Sequence, residues 1–181
     1  MNISPEEFGK LFSEFRREAF RLETLDDYSK SGGVDAYRAF LAGRPQPEEY
    51  KAAGWVTTVR DATQAGKRMY RVHILARPLS DYLRFELGWG YVRNQEAGEE
   101  FFILDTTDRS NPLAGVPDFW AFDERSVVTM QYGNGGEFLG AELIPEEQAQ
   151  EWLKLRDVAL GSAVPFRGWW ERHKPRRTSE L

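Results

Sequence analysis

Arg71 and His73 stand two residues apart in the run Met69-Tyr-Arg-Val-His-Ile-Leu75. Its alternation predicts a strand, with Tyr70, Val72 and Ile74 on one face and Arg71, His73 and Leu75 on the other. Tyr82 and Glu86 lie four apart in the next stretch of helical period, which places them on one helix face. If strand and helix pack, Arg71, His73, Tyr82, Arg84, Glu86 and Tyr91 line a polar pocket with aromatic walls. A forked guanidinium recognises anions and a phenol wall accepts a flat molecule, so the pocket suits an anion or a planar ligand. Imidazole and carboxylate could also move protons there. That opens an enzymatic alternative, acting on phosphodiesters or other anionic substrates with Arg71, His73, Arg84, Glu86 and Asp105. The plainer readings are a solvated face with an Arg–Glu pair and a hydrogen-bonded structural histidine.

Two further groups could carry chemistry. Asp105 and Asp108 follow one apolar run, and Asp118, Asp123 and Glu124 flank the next. Acids at strand ends can hold a hard cation such as Mg²⁺, but turns select Asp and Asn for backbone reasons, and the turn reading ranks ahead. Near the C-terminus, Trp169, Trp170 and Arg172 sit among Arg167, Lys174, Arg176 and Arg177. Cations interleaved with indoles could grip phosphates and stack on bases. The plainer reading, a Trp pair packed back on the domain beside a solvated end, ranks ahead of it.

Familiar catalytic signatures are missing. There is no G-x-S-x-G elbow, P-loop or dinucleotide fingerprint, and no zinc or calcium-loop spacing. Gly133-Asn134-Gly135-Gly136 lacks the Lys-Ser/Thr of a phosphate cradle and reads as a hairpin turn. No metal and no cofactor is expected from these motifs.

The elements that would hold these groups follow from capping and period. Ser4, Pro5 and Glu7 make a helix start of the capping-box type. Phe8, Leu11, Phe12, Phe15, Ala19, Phe20 and Leu22 recur at helical spacing, so that helix is expected to run on to Leu22. A second helix spans Val34 to Leu41, and a short one follows Trp55. Strands are expected at 69–75, 99–105, 118–123, 127–132 and 138–144, with helices after Ser80 and Pro145. The layout is α+β: a central, mostly antiparallel sheet flanked by N-terminal and C-terminal helices. It reads as one domain over 1–181, with its core at about 5–166 and a basic, Trp-containing tail at 167–181.

Composition sets bounds on all of this. The chain has 181 residues, a size for one domain with a real core. Having no cysteine, it can form no disulfide, thiolate zinc site or cysteine nucleophile. With 24 Lys and Arg against 29 Asp and Glu, its charge of −5 disfavours broad nucleic-acid binding. No basic leader or long apolar run is seen, so a cytoplasmic protein without membrane contact is expected. Aromatic residues reach 14 %, and most fall on apolar faces where they would build the core.

The ordered segments Phe8–Phe12, Ala19–Thr24, Arg71–Leu75, Pro78–Leu87, Ala97–Glu99, Asp118–Asp123, Arg156–Leu160 and Ala163–Phe166 resemble the actinobacterial family DUF6879, a domain of unknown function. The resemblance runs from about Phe8 to Phe166 and brings no catalytic residues. It implies a small protein encoded beside helix-turn-helix regulators of the Xre type, hence a helix-turn-helix regulator as partner. The leading expectation is a non-enzymatic regulatory or binding module that engages such a regulator or senses a small ligand.

Overall fold

The computed structural model describes residues 1–175; the part of the basic tail at 176–181 lies outside the described residues. After a two-residue strand β1 (Asn2–Ile3), helix α1 (Pro5–Glu14) opens on the expected capping box. Ser4 Oγ accepts from the Glu7 N–H at 3.1 Å, and Glu7 Oε2 accepts from the Ser4 N–H at 2.7 Å.

The helix does not continue to Leu22. Phe15 is extended, and the Asp123 carboxylate accepts from the N–H groups of Arg16, Arg17 and Glu18 at 2.8, 2.7 and 3.1 Å. From Glu18 the chain is strand β2 (Glu18–Glu23). The physical reason is tertiary: a strand here finds ladder partners on both sides, which outweighs a weak local helix preference. The alternation Phe20, Leu22 against Arg21, Glu23 is the strand signal hidden under the helical one.

Helices α2 (Val34–Leu41), α3 (Glu48–Lys51) and α4 (Gly54–Gln64) cross to β3 (Arg68–Leu75). Ser80 accepts from the Leu83 N–H and caps α5 (Asp81–Phe85). That helix runs through a wide π turn (Glu86–Tyr91) into α6 (Val92–Glu96). Strand β4 (Glu100–Asp105) follows, then β5 (Phe119–Phe122), β6 (Ser126–Tyr132) and β7 (Phe138–Leu143). Helix α7 (Ala149–Ser162), the short β8 (Val164–Pro165) and α8 (Phe166–His173) complete the described chain.

All eight strands join one sheet in the order β1-β7-β6-β5-β2-β3-β4-β8. Five joins are antiparallel, and two, β2–β3 and β3–β4, are parallel. The fold is α+β with a mostly antiparallel sheet, as expected, but its middle is a parallel trio. Parallel strands need crossovers, which cover their faces. Phe20, Leu22, Tyr70, Val72 and Leu104 pack against Leu153 and Trp152 of α7. On the opposite side, Ala19 and Met69 meet Phe12 of α1 and Val59 of α4, while Phe101 and Ile103 meet Leu83, Leu87 and Phe166. Arg71 and His73 therefore lie on a covered face, and the solvated-face reading of them does not hold.

The β6–β7 turn holds the site from a distance. Gly136 has φ +73°, and a Cβ there would overlap the Asp27 carbonyl. Only a glycine lets the hairpin tip rest on the Asp27–Tyr28 backbone, and that contact sets the position of Tyr28. Among the described residues, no helix is long and apolar enough to cross a membrane.

Candidate functional site

Parallel pairing sets Arg21 beside Arg71 and Glu23 beside His73, near the C-terminal end of β2. In sheets with parallel strands, ligand crevices form at these ends. Two guanidiniums side by side in a protein interior require carboxylates, and the fold supplies them. Arg71 donates from NH1 to Glu23 Oε1 at 3.0 Å and from Nε to Glu99 Oε1 at 2.8 Å. The Trp55 indole N–H holds the other Glu99 oxygen at 3.1 Å. Arg21 donates to the Tyr132 hydroxyl at 3.1 Å and stands 3.6 Å from Asp118 Oδ2. Its Nε lies 3.3 Å from Glu23 Oε1 but is not aligned for a hydrogen bond, and is left unpartnered. Burial alone would raise the Glu23 carboxyl, yet Arg21 and Arg71 hold it down at about 2.

His73 is fully buried, and each ring nitrogen has a polar neighbour. Nε2 is 2.9 Å from the Leu25 carbonyl, which can only accept, so Nε2 carries a hydrogen. Nδ1 is 2.8 Å from the Tyr91 hydroxyl, and that hydroxyl donates to Glu23 Oε2. The π turn makes this possible. In an α-helix, residues five apart point about 140° away from one another; a turn closed by i→i+5 bonds brings them round to one side. Glu86 and Tyr91 thus both reach His73, with Glu86 Oε2 3.6 Å from Nδ1. That oxygen is buried and has no hydrogen-bond partner among the described residues. Burial, and then the charge of Glu23, push the Glu86 carboxyl well above its ordinary range.

Asp118 anchors the other wall. Its carboxylate accepts from the Tyr28 hydroxyl at 2.6 Å, the Thr24 hydroxyl at 2.6 Å and the Thr24 N–H at 2.9 Å. Above these groups opens a cleft of about 370 Å³, with Arg21, Glu23, Arg71 and Glu86 at its floor. Tyr28, Tyr82, Tyr132, Phe8 and Phe138 form its sides, and Ser31 and Gly32 its rim. A groove of about 440 Å³ between α6 and α8 is larger, but its charged groups, Glu96, Arg167 and Glu171, are exposed and make no comparable cluster.

The structure brings together Arg71, His73, Tyr82, Glu86 and Tyr91, as expected from the sequence. Arg84 does not join them: it is half-exposed and pairs with Asp81 on its own helix at 3.4 Å. Arg71 is not free to meet an anion, because it already pairs with Glu23 and Glu99. Arg21, Glu23, Tyr28, Glu99, Asp118 and Tyr132 belong to the site and were missed as members. The period-2 pattern of Ala19–Glu23 could have revealed the first two.

The strand-end acids serve the fold instead. Asp105 binds Arg77 at 2.7 Å and the Trp169 indole N–H at 3.0 Å, Asp118 is part of the wall just described, and Asp123 caps the start of β2. Glu124 pairs with Arg156 at 3.1 Å and Asp108 with Arg77 at 3.5 Å. Burial would raise Asp105, but hydrogen bonds from Thr107, Arg77 and Trp169 bring it down to about 2. At the C-terminal end, Trp169 is 2 % exposed, Trp170 is half-buried and stacks on Phe166, and Arg172 is exposed. A base has no open face of Trp169 on which to stack.

Fold and site together define an α+β protein with a mixed sheet whose parallel strands carry a buried Arg–Glu–His cluster beneath an aromatic cleft. The DUF6879 family, described as a domain of unknown function, matches residues 6–171, and the chain belongs to it. No curated protein shows a significant match. Among solved structures, a phospholipase D family member, Nuc from Salmonella typhimurium, is similar over 90 % of this chain and 93 % of that one. It has a TM-score of 0.46 and 12 % identity.

Proposed function

We propose that the chain is a non-enzymatic binding module whose cleft takes a small cation. The observation that carries this reading is the unpartnered, buried Glu86 Oε2 at the floor of an open cleft. A buried acceptor without a donor costs about 1–3 kcal/mol, which a ligand bearing a donor or a positive charge would recover. Electrostatics point the same way. Two guanidiniums, Arg21 and Arg71, face the carboxylates of Glu23, Glu99 and Asp118, an excess of one negative charge that grows to two when Glu86 ionises against a bound cation. Such a cluster repels an anion and draws a cation. Tyrosine faces on the walls favour a cation further through their ring quadrupoles. His73, the candidate base of the enzymatic alternative, is fully buried and absent from the cleft lining.

The test is a melting-temperature series on chelator-treated protein with chloride salts of ammonium, guanidinium, a short diamine, Zn²⁺ and Mn²⁺. At least one is expected to raise the melting temperature of the wild-type chain and to leave Glu86→Gln unmoved, since a ligand that binds only the folded state stabilises it. No shift with any of them, or an equal shift in the variant, rejects the reading.

A further inference from the structure

We infer that Glu23, His73 and Glu86 form a site for one divalent first-row transition-metal ion just beneath the floor of the cleft. The inference rests on the cation-binding reading and narrows it from cations in general to a metal. Three residues converge, Glu23, His73 and Glu86, each offering a donor atom within 4.8 Å of the others. Glu23 Oε2 and Glu86 Oε2 are each 3.6 Å from His73 Nδ1. Metal–donor bonds of about 2.0–2.2 Å in a tetrahedron put neighbouring donors roughly 3.4 Å apart, so the trio is spaced for an ion between them.

The surroundings are arranged as an outer shell would be. The Leu25 carbonyl fixes the hydrogen of His73 on Nε2, which leaves the Nδ1 lone pair of the neutral ring turned toward the two carboxylates. Arg71 grips the other oxygen of Glu23 and so orients Oε2. Tyr91 has a single proton, and Glu23 Oε2 receives it, so the hydroxyl has none left for Nδ1. Nδ1 and Glu86 Oε2 therefore both lack a positive partner at the same point in space. A divalent ion there satisfies both, and with Glu86 ionised as its ligand it balances the excess negative charge of the cluster. One imidazole nitrogen with two carboxylates selects a transition ion such as Zn²⁺ or Co²⁺ over Ca²⁺ or Mg²⁺, which favour oxygen-only sets. The competing occupant is a proton on Nδ1.

The experiment uses the full chain stripped with chelator and then titrated with Zn²⁺ by calorimetry. Co²⁺ serves as the spectroscopic probe. The expected result is one ion per chain, with proton release where the ring had been protonated, and visible Co²⁺ bands of nitrogen–oxygen coordination. Glu86→Gln, which removes a ligand but matches the side chain in shape, should weaken binding at least tenfold while circular dichroism shows an unchanged fold. Arg84→Gln should bind as the wild type does. Absence of Zn²⁺ and Co²⁺ binding by the wild-type chain overturns the inference, as does equal binding by Glu86→Gln. If ammonium or guanidinium still stabilises the wild type through Glu86 while the metals do not bind, the metal assignment falls and the cation-binding reading stands. If no cation acts through Glu86, both fall.

Discussion

Glu23 and His73 are register partners on adjacent parallel strands, and their side chains meet through a third residue: Tyr91 hydroxyl bonds Glu23 Oε2 and lies 2.8 Å from His73 Nδ1. Strands about 4.8 Å apart bring same-face side chains alongside one another, so the pairing itself sets carboxylate next to imidazole. The intervening hydroxyl arrives from the π turn on the helix above. Sheet register and a helix irregularity thus combine to build one polar centre inside a protein core.

Arg71 is the cation on which the interior depends. Arg71→Met leaves Glu99 buried without its counter-charge and Glu23 with Arg21 alone, and is expected to cost about 3–5 kcal/mol in urea unfolding. Adding Glu99→Gln should recover part of that loss, because the stranded charge is then gone. A cost for Arg71→Met below about 1 kcal/mol contradicts this account of the cluster.

Asp105 gives the fold a specific acid sensitivity. Its folded-state value of about 2 lies below the 3.8 of an ordinary aspartate, so the stability it contributes is present above pH 3.8 and is lost as pH falls through 2. Asp105→Asn is expected to cost about 2 kcal/mol at neutral pH, with the gap to wild type narrowing between pH 4 and pH 2. Chemical denaturation across that range reads the effect; a gap that widens on acidification refutes the sign.

Gly136 is expected to be intolerant of a side chain. Gly136→Ala combines a positive φ, costing about 1–2 kcal/mol by itself, with overlap against the Asp27 carbonyl. Thermal unfolding should show a loss of at least about 2 kcal/mol. Since Tyr28 is seated by that contact, the variant should also weaken any cation response found in the wild type.

Trp169 and Arg172 should separate sharply although they are three residues apart. Trp169→Ala removes a buried indole and its bond to Asp105, at about 3–5 kcal/mol. Arg172→Ala, on the exposed side of α8, should stay within about 0.5 kcal/mol. Equal, small effects in both would mean that α8 does not dock as described.

Much of the architecture was legible because it is written in local pattern. Ser4 and Ser80 announced their helices through the side-chain oxygen each offers to a free N–H, and the glycines after Tyr132 announced the hairpin. Strands β3, β4, β5, β6 and β7 followed from alternation or compact apolar runs. The misreading of 15–22 shows where this stops. Phe15, Ala19 and Leu22 fit a helical period, and the same segment fits period 2. Only the ladders from β3 and β5, with Asp123 holding the N–H groups of Arg16 and Arg17, decide for the strand.

For the site, the sequence by itself determined the candidate residue types and half of the members. Arg71 and His73 share a face because strands alternate, and Tyr82 and Glu86 share one because helices turn every 3.6 residues. It also determined that cysteine chemistry is impossible. Tertiary structure alone decided the rest. It enclosed Arg71 between the carboxylates of Glu23 and Glu99, so that the guanidinium is paired within the protein. It drew Glu86 and Tyr91 together through a π turn, and it brought Glu23 and Asp118, distant in sequence, to the two sides of Arg21. The physical reason is that charge balance and donor geometry are properties of neighbours in space. Local periodicity says which way a side chain points, while only the packed sheet and its crossovers say what it meets.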